Sequence, residues 1–303
     1  MAKETKAAPK DEAQKKREAA LSPPPAQTGQ ALARSAQTEP ISRRTTQAPR
    51  EIVPGFENMD SSDLAKPRLA ICQAMSPQRK KSDPKFIPGL DEGMFFNTVT
   101  NEVYGTEVTV VPLMFFKSRV FFNPLDDGGG MRCQSPDAQV GVGDPGGECA
   151  VCPYARFGEH GEAPECTNFF NYAALVVPKA KGAKIGPESL AIVSLKSTGL
   201  KVARDWNSKM RLRVDSSTRK QLPMFMGAYK LTSVEQKNDK GTWSTFKVDG
   251  AGTISDAENA QTAEEAYYSV RDLFTAGKLK VDLEDLAHEG TDAIDTSAGT
   301  GGM

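Results

Sequence analysis

Cys133, Cys149, Cys152 and Cys166 form a C-x15-C-x2-C-x13-C series, the densest group of chemistry-bearing residues in the chain. A Cys-x-x-Cys turn lets two thiolates converge on one ion, and two flanking cysteines supply the other corners of a tetrahedron. Gly128-Gly129-Gly130, Gly146-Gly147 and Pro153 surround them and allow the tight turns a metal knuckle needs. The apolar content of this stretch is thin, so a bound metal would supply folding energy that side chains do not. The expectation is a structural Zn2+ held by these four residues in a module inserted over 123–167. Two other readings stay open: reduced loop cysteines without a ligand, and a redox Cys-x-x-Cys lacking the usual strand–motif–helix setting. His160 lies inside the loop and reads as an exposed loop histidine, with ligation in place of Cys166 as the alternative. Cys72 stands far outside the series and reads as a small core hydrophobe.

No enzyme is expected. Four thiolates close the metal shell, and no His-Glu-x-x-His or His-x-Glu sequence supplies a general base beside it. Gly128-Gly129-Gly130 is not followed by Gly-Lys-Ser/Thr, Gly141-Val-Gly143 lacks the third glycine of a dinucleotide site, and no Gly-x-Ser-x-Gly is present.

A second group runs from Met114 to Phe122: Met-Phe-Phe-Lys-Ser-Arg-Val-Phe-Phe. In a strand, alternate residues share a face, so Phe115, Lys117, Arg119 and Phe121 point one way. Phe116, Ser118, Val120 and Phe122 point the other way and suit a core. Rings that stack on bases and cations that neutralise phosphates are what a single-stranded nucleic acid needs. The same alternation also fits a doubly covered strand whose cations reach outward to water. Arg79-Lys80-Lys81 with Lys85 form a basic loop, and further cations run from Lys201 to Lys220. Tyr229, Lys230, Trp243 and Lys247 add aromatic–basic neighbours.

Elements able to hold these residues follow from the local patterns. Met94–Phe122 is β-rich, strand signals return at 168–177 and 189–195, and a helix is expected at 200–212. Met224–Gln236 and Thr242–Val248 read as a β-hairpin turning at 237–241. Thr262 and Glu265 match a capping box for a last helix, with Gly277 as its stop. The fold class expected is mainly β with minor α: an OB-like small barrel carrying the zinc module.

The 303 residues hold 38 basic and 39 acidic side chains, but unevenly. Residues 1–50 carry ten basic and five acidic residues, whereas 281–303 carry acidic residues with no Lys or Arg. Residues 1–60 read as a disordered basic arm, with a short helix conceivable at 12–21; 61–280 read as the folded domain and 281–303 as an acidic disordered tail. Near-neutrality is therefore a sum of unlike segments and does not exclude a nucleic-acid partner. No apolar run approaches the roughly 18–20 residues of a membrane span, and the charged start has no signal region, so a cytoplasmic protein is expected.

Pro67-Arg68-Leu69, the run Gly93-Met-Phe-Phe-Asn97 through Val108–Phe122, and the hairpin Pro223–Val248 together resemble the single-stranded-DNA-binding replication proteins of tailed bacteriophages. The resemblance spans about residues 65–275. It implies an OB-type domain that coats exposed strands, a structural zinc in some members, and an acidic tail that recruits replication proteins such as polymerase or helicase-primase. It also implies possible self-association through a basic arm, where Arg43-Arg44-Thr45-Thr46 is the candidate. The contacts expected are Phe115, Phe121 and Trp243 on bases, with Lys117, Arg119, Arg79, Lys80 and Lys81 on phosphates. The competing reading is a zinc-ribbon interaction or virion structural protein without nucleic-acid affinity.

Overall fold

The computed structural model describes residues 54–55, 57–59, 63–124, 129–180, 184–238, 241–279 and 281. The chain divides into two compact units at Gly55/Phe56, and only the second lies largely within that range. The 12–21 helix, the Arg43–Thr46 candidate and nearly all of the acidic tail lie outside the described residues.

The body is mainly β, with two α-helices among the described residues. Its axis is β4 (Glu107–Phe122), a 16-residue strand dense in β-branched and aromatic side chains. β4 pairs along most of its length with β8 (Thr167–Val177), which pairs in turn with β9 (Leu190–Lys196). On its other side, the first residues of β4 pair with β10 (Gly227–Asn238) and the last with β5 (Met131–Ser135). β10 continues to β11 (Gly241–Thr253), and β5 to β6 (Val140–Gly143) and β7 (Gly147–Glu148). The sheet therefore forks at β4. The expected hairpin is present as β10 and β11.

Pro112 cannot donate to a ladder, and the β4–β8 register shifts around it, between Pro112 and Met114. The extra residue changes the parity of the strand. Val108 and Val110 consequently share a face with Phe115, while Val111 and Leu113 share the other with Phe116 and Val120.

Each face has its own cover. On the Val108 face lies α1 (Gly199–Arg211), whose buried Ala203, Trp206 and Met210 recur at helical spacing. Trp206 packs at 4.2 Å from the ring of Tyr172 and 5.7 Å from that of Tyr229, and the Tyr172 hydroxyl donates to the Ala203 carbonyl. The opposite face is covered by α2 (Ala257–Thr275) through Ala263 and Val270. Beneath α2, Asn171 donates to the Ser118 hydroxyl and accepts from that of Ser194, so the one buried amide there is satisfied in both directions.

α2 starts earlier than the sequence suggests. Its N-cap is Asp256, which accepts from the Asn259 amide at 2.8 Å. Thr262 falls inside the helix, because a Thr-x-x-Glu pattern is also compatible with interior positions once a stronger cap stands upstream. The stop at Gly277 holds: its φ is +68°, and its amide bonds back to Phe274.

A smaller sheet orders β1 (Leu69–Ile71), β2 (Phe95–Asn97) and β3 (Val103–Gly105). It meets β9 through a parallel bridge of Arg68 with Ile192, whose amide donates to the Pro67 carbonyl. It meets the hairpin through Phe95, 5.6 Å from the Phe246 ring, and through Gln73. Among the described residues no continuous ladder closes these ends into a barrel. The expectation of an OB-like small barrel is thus reduced to a mainly β body in which the small sheet joins β9 by one bridge and the hairpin by side-chain contacts.

Candidate metal centre and nucleic-acid interface

The cysteine series is distributed over four local structures. Cys133 is on β5, Cys149 follows β7, Cys152 precedes a short 3-10 turn at Pro153–Ala155, and Cys166 precedes β8. All four line one small cavity, together with Arg119, Phe121, Tyr154 and the backbone of Gly141, Gly146 and Gly147. No carboxylate and no histidine lines it. Close approach explains the glycines: a Cβ at Gly141 would stand 2.8 Å from the Cys133 sulfur, and one at Gly143, where φ is +117°, 2.3 Å from the Arg132 carbonyl.

Among the described residues no three Cys, His, Asp or Glu side chains stand at ligand spacing around one point. Four cysteines on the lining of a single cavity, with no carboxylate or histidine beside them among the described residues, are nevertheless a donor set that suits Zn2+. His160 is exposed and does not line the cavity, whereas Cys166 does. Burial raises the Cys166 thiol above its ordinary value, and the positive charge of nearby Arg119 works in the opposite direction. Cys72 is fully buried, as expected of a core hydrophobe.

The aromatic–basic residues separate into three environments. Phe115 is half-buried, with ring centroids 5.1 Å from Phe170 and 5.3 Å from Tyr172. Lys117 is exposed, its ammonium 5.2 Å from the Phe170 centroid. These two form an accessible patch on the α1 side of β4.

Arg119 and Phe121 belong instead to the cysteine cavity. Phe121 is 4% exposed, stacked on Tyr154 at 4.6 Å, with the Arg132 guanidinium 5.1 Å from its ring. A buried ring flanked in this way offers no open face to a base, so the stacking role expected for Phe121 passes to packing the module on β4. Tyr154, unremarkable in the sequence, is the residue that completes that contact.

Arg79, Lys80 and Lys81 lie on the loop between β1 and β2, and Trp243 lies on β11. Gln73, at the start of that loop, bonds to the backbone of Ser244, next to Trp243. Lys80 and Lys81 are exposed; Arg79 is half-buried, donating to the Ala74 carbonyl and pairing with Glu92 at 3.4 Å. Trp243 faces Gln236 in the hairpin, four residues beyond Thr232, which faces the first residue of β4. Lys117 lies ten residues further along β4, so the two groups are about 45 Å apart along the strand path. The sequence places all these residues in one groove; the structure places them toward opposite ends of the body.

No helix among the described residues is long and apolar enough to cross a membrane. No curated protein and no solved structure matches the chain. The family model for Pam3 phage gp34-like proteins matches residues 37–275, far more than half of the sequence, and the chain therefore belongs to the Pam3 phage gp34-like family of phage proteins.

Proposed function

We propose that this phage protein is a non-enzymatic single-stranded-DNA-binding protein that coats exposed strands during replication or recombination with little sequence preference. What supports an OB-like body is that the small sheet bridges β9 through Arg68 and Ile192 and meets the β10–β11 hairpin through Phe95 and Phe246. The observation that carries this reading is the pair of exposed cations Lys80 and Lys81 on the loop that Gln73 ties to the Ser244 backbone, one residue from Trp243. Exposed cations are suited to phosphates and an indole to a stacked base, and stacking on an aromatic contributes about 1–3 kcal/mol per base. Lys117 over Phe170, beside Phe115, supplies a second patch of the same chemistry. A structural Zn2+ on Cys133, Cys149, Cys152 and Cys166 fixes the module to β4. The acidic tail competes with the strand for these cations and meets replication proteins.

The test is anisotropy of a labelled oligo-dT titrated with the full-length protein over a range of salt. Affinity for single strands should exceed that for duplex and fall log-linearly with salt, at a slope of about −0.7 per neutralised phosphate. Replacing Lys80, Lys81 and Lys117 together by Ala should make the slope shallower by about two. Absence of affinity at low salt would remove this reading.

The alternative is an interaction or virion structural protein. It is favoured by one observation: Val140, Val142, Val151 and Phe157 on the cysteine module are 55–73% exposed. Stable self-association in light scattering, without oligonucleotide binding, would establish it.

A further inference from the structure

Arg119 stands where the cysteine-bearing segments meet. In the ladders it faces Ser135 of β5, the strand of Cys133, and Asn168 of β8, the strand that begins just after Cys166. Its side chain lines the cavity of the four cysteines, and its guanidinium donates to the Ala155 carbonyl at 3.4 Å. Ala155 ends the turn that follows Cys152. The Nε of Arg119 is buried with no hydrogen-bond partner among the described residues, so donor capacity is left over inside the cavity. Among the described residues no carboxylate lines that cavity to balance the cation.

Burying a guanidinium without an anion is costly, and among the described residues that line the cavity the four thiols ionise more readily than the Tyr154 phenol. Four thiolates around a divalent ion leave a net charge of about −2, which one adjacent guanidinium halves. We propose that Arg119 is a positioning residue of the metal centre: it holds Cys166 and the turn after Cys152 around the ion and offsets thiolate charge, and it does not contact phosphate. This rests on the zinc reading above. It also divides the β4 stripe by task, with Lys117 serving the nucleic acid and Arg119 the metal, two residues apart on one face. The central strand thereby becomes part of the site, which explains why the module needs so little apolar core of its own.

The experiment compares full-length wild type with Arg119→Met, Arg119→Lys and Lys117→Met. Zinc content is measured by mass spectrometry after purification, and zinc release is followed with a chromophoric chelator. Partners of this kind typically change metal affinity about 10–100-fold. Wild type should carry one zinc, Arg119→Met should lose it at least about tenfold faster, and Lys117→Met should match wild type. If Arg119→Met is insoluble, Arg119→Lys decides: faster release supports the assignment, and wild-type release overturns it. Zinc in wild type with unchanged release from both Arg119 variants refutes the role of Arg119 alone. Wild type without zinc refutes the metal reading itself.

Discussion

The side-chain amide of Gln73 pairs with the backbone of Ser244 through two hydrogen bonds of 2.9 Å, Nε2 donating to the carbonyl and Oε1 accepting from the amide. Ser244 faces Glu235 of β10 in the hairpin, so the glutamine occupies the side where a further strand would stand. One side chain thus satisfies a section of open strand edge. Gly93 permits this closeness: with φ at +78°, a Cβ there would lie 3.3 Å from the Ser233 hydroxyl and 3.5 Å from that of Ser244. The β1–β2 loop and the edge of β11 are held together by this local substitute for a ladder.

Gln73→Ala should therefore cost about 1–3 kcal/mol in urea unfolding, since two bonds are lost and half-buried backbone groups lose their partner. Hydrogen exchange at the Ser244 amide should accelerate more than at Val248, further along β11. Gln73→Glu should also be destabilising, because a carboxylate would face the Ser244 carbonyl without a donor. Equal exchange at Ser244 in wild type and variant would show that the loop is held by other contacts.

Trp206 is the centre of the larger core, fully buried between Tyr172 and Tyr229. Trp206→Ala should lower stability by about 3–5 kcal/mol, measured by chemical denaturation. Trp206→Phe should cost clearly less. It also leaves Trp243 as the sole indole, so oligonucleotide-dependent quenching in that variant reports on Trp243 directly.

Asp215 caps the turn after α1. Its carboxylate accepts from the Ser217 hydroxyl, the Thr218 amide and the Ser217 amide, and these bonds hold its pKa down, from 3.8 to about 2. A depressed carboxyl pKa means that its contribution is complete above about pH 4 and is lost as pH falls toward 2. An NMR titration should therefore find the Asp215 midpoint well below that of an unstructured aspartate. Asp215→Asn should abolish that shift and leave the turn insensitive to acid in this window. A midpoint near 3.8 in wild type would show that the cap does not form.

The four-cysteine grouping was legible because ligand chemistry depends on residue type and short spacing, and Cys166 rather than His160 lies on the cavity. The hairpin, the 199–211 helix and the Gly277 stop were legible for the same local reason. The helix starting at Ala257 was misplaced because two cap-like patterns compete and the sequence does not rank them. Phe115 and Phe121 carry the same alternation signal, yet one remains half-open and the other is covered by Tyr154, from a segment 33 residues away.

Amino-acid order alone determined the β-rich composition, the cysteine series, the unlike charge of the two ends and the alternation on β4. Tertiary structure decided where each cation lies and what packs around it. The bulge at Pro112 changes strand parity, the module lays Tyr154 and the cysteines over Arg119 and Phe121, and Gln73 ties the β1–β2 loop to the Ser244 backbone. These outcomes depend on pairing between segments far apart in sequence, where the burial of a ring or cation is set by what arrives from elsewhere in the chain.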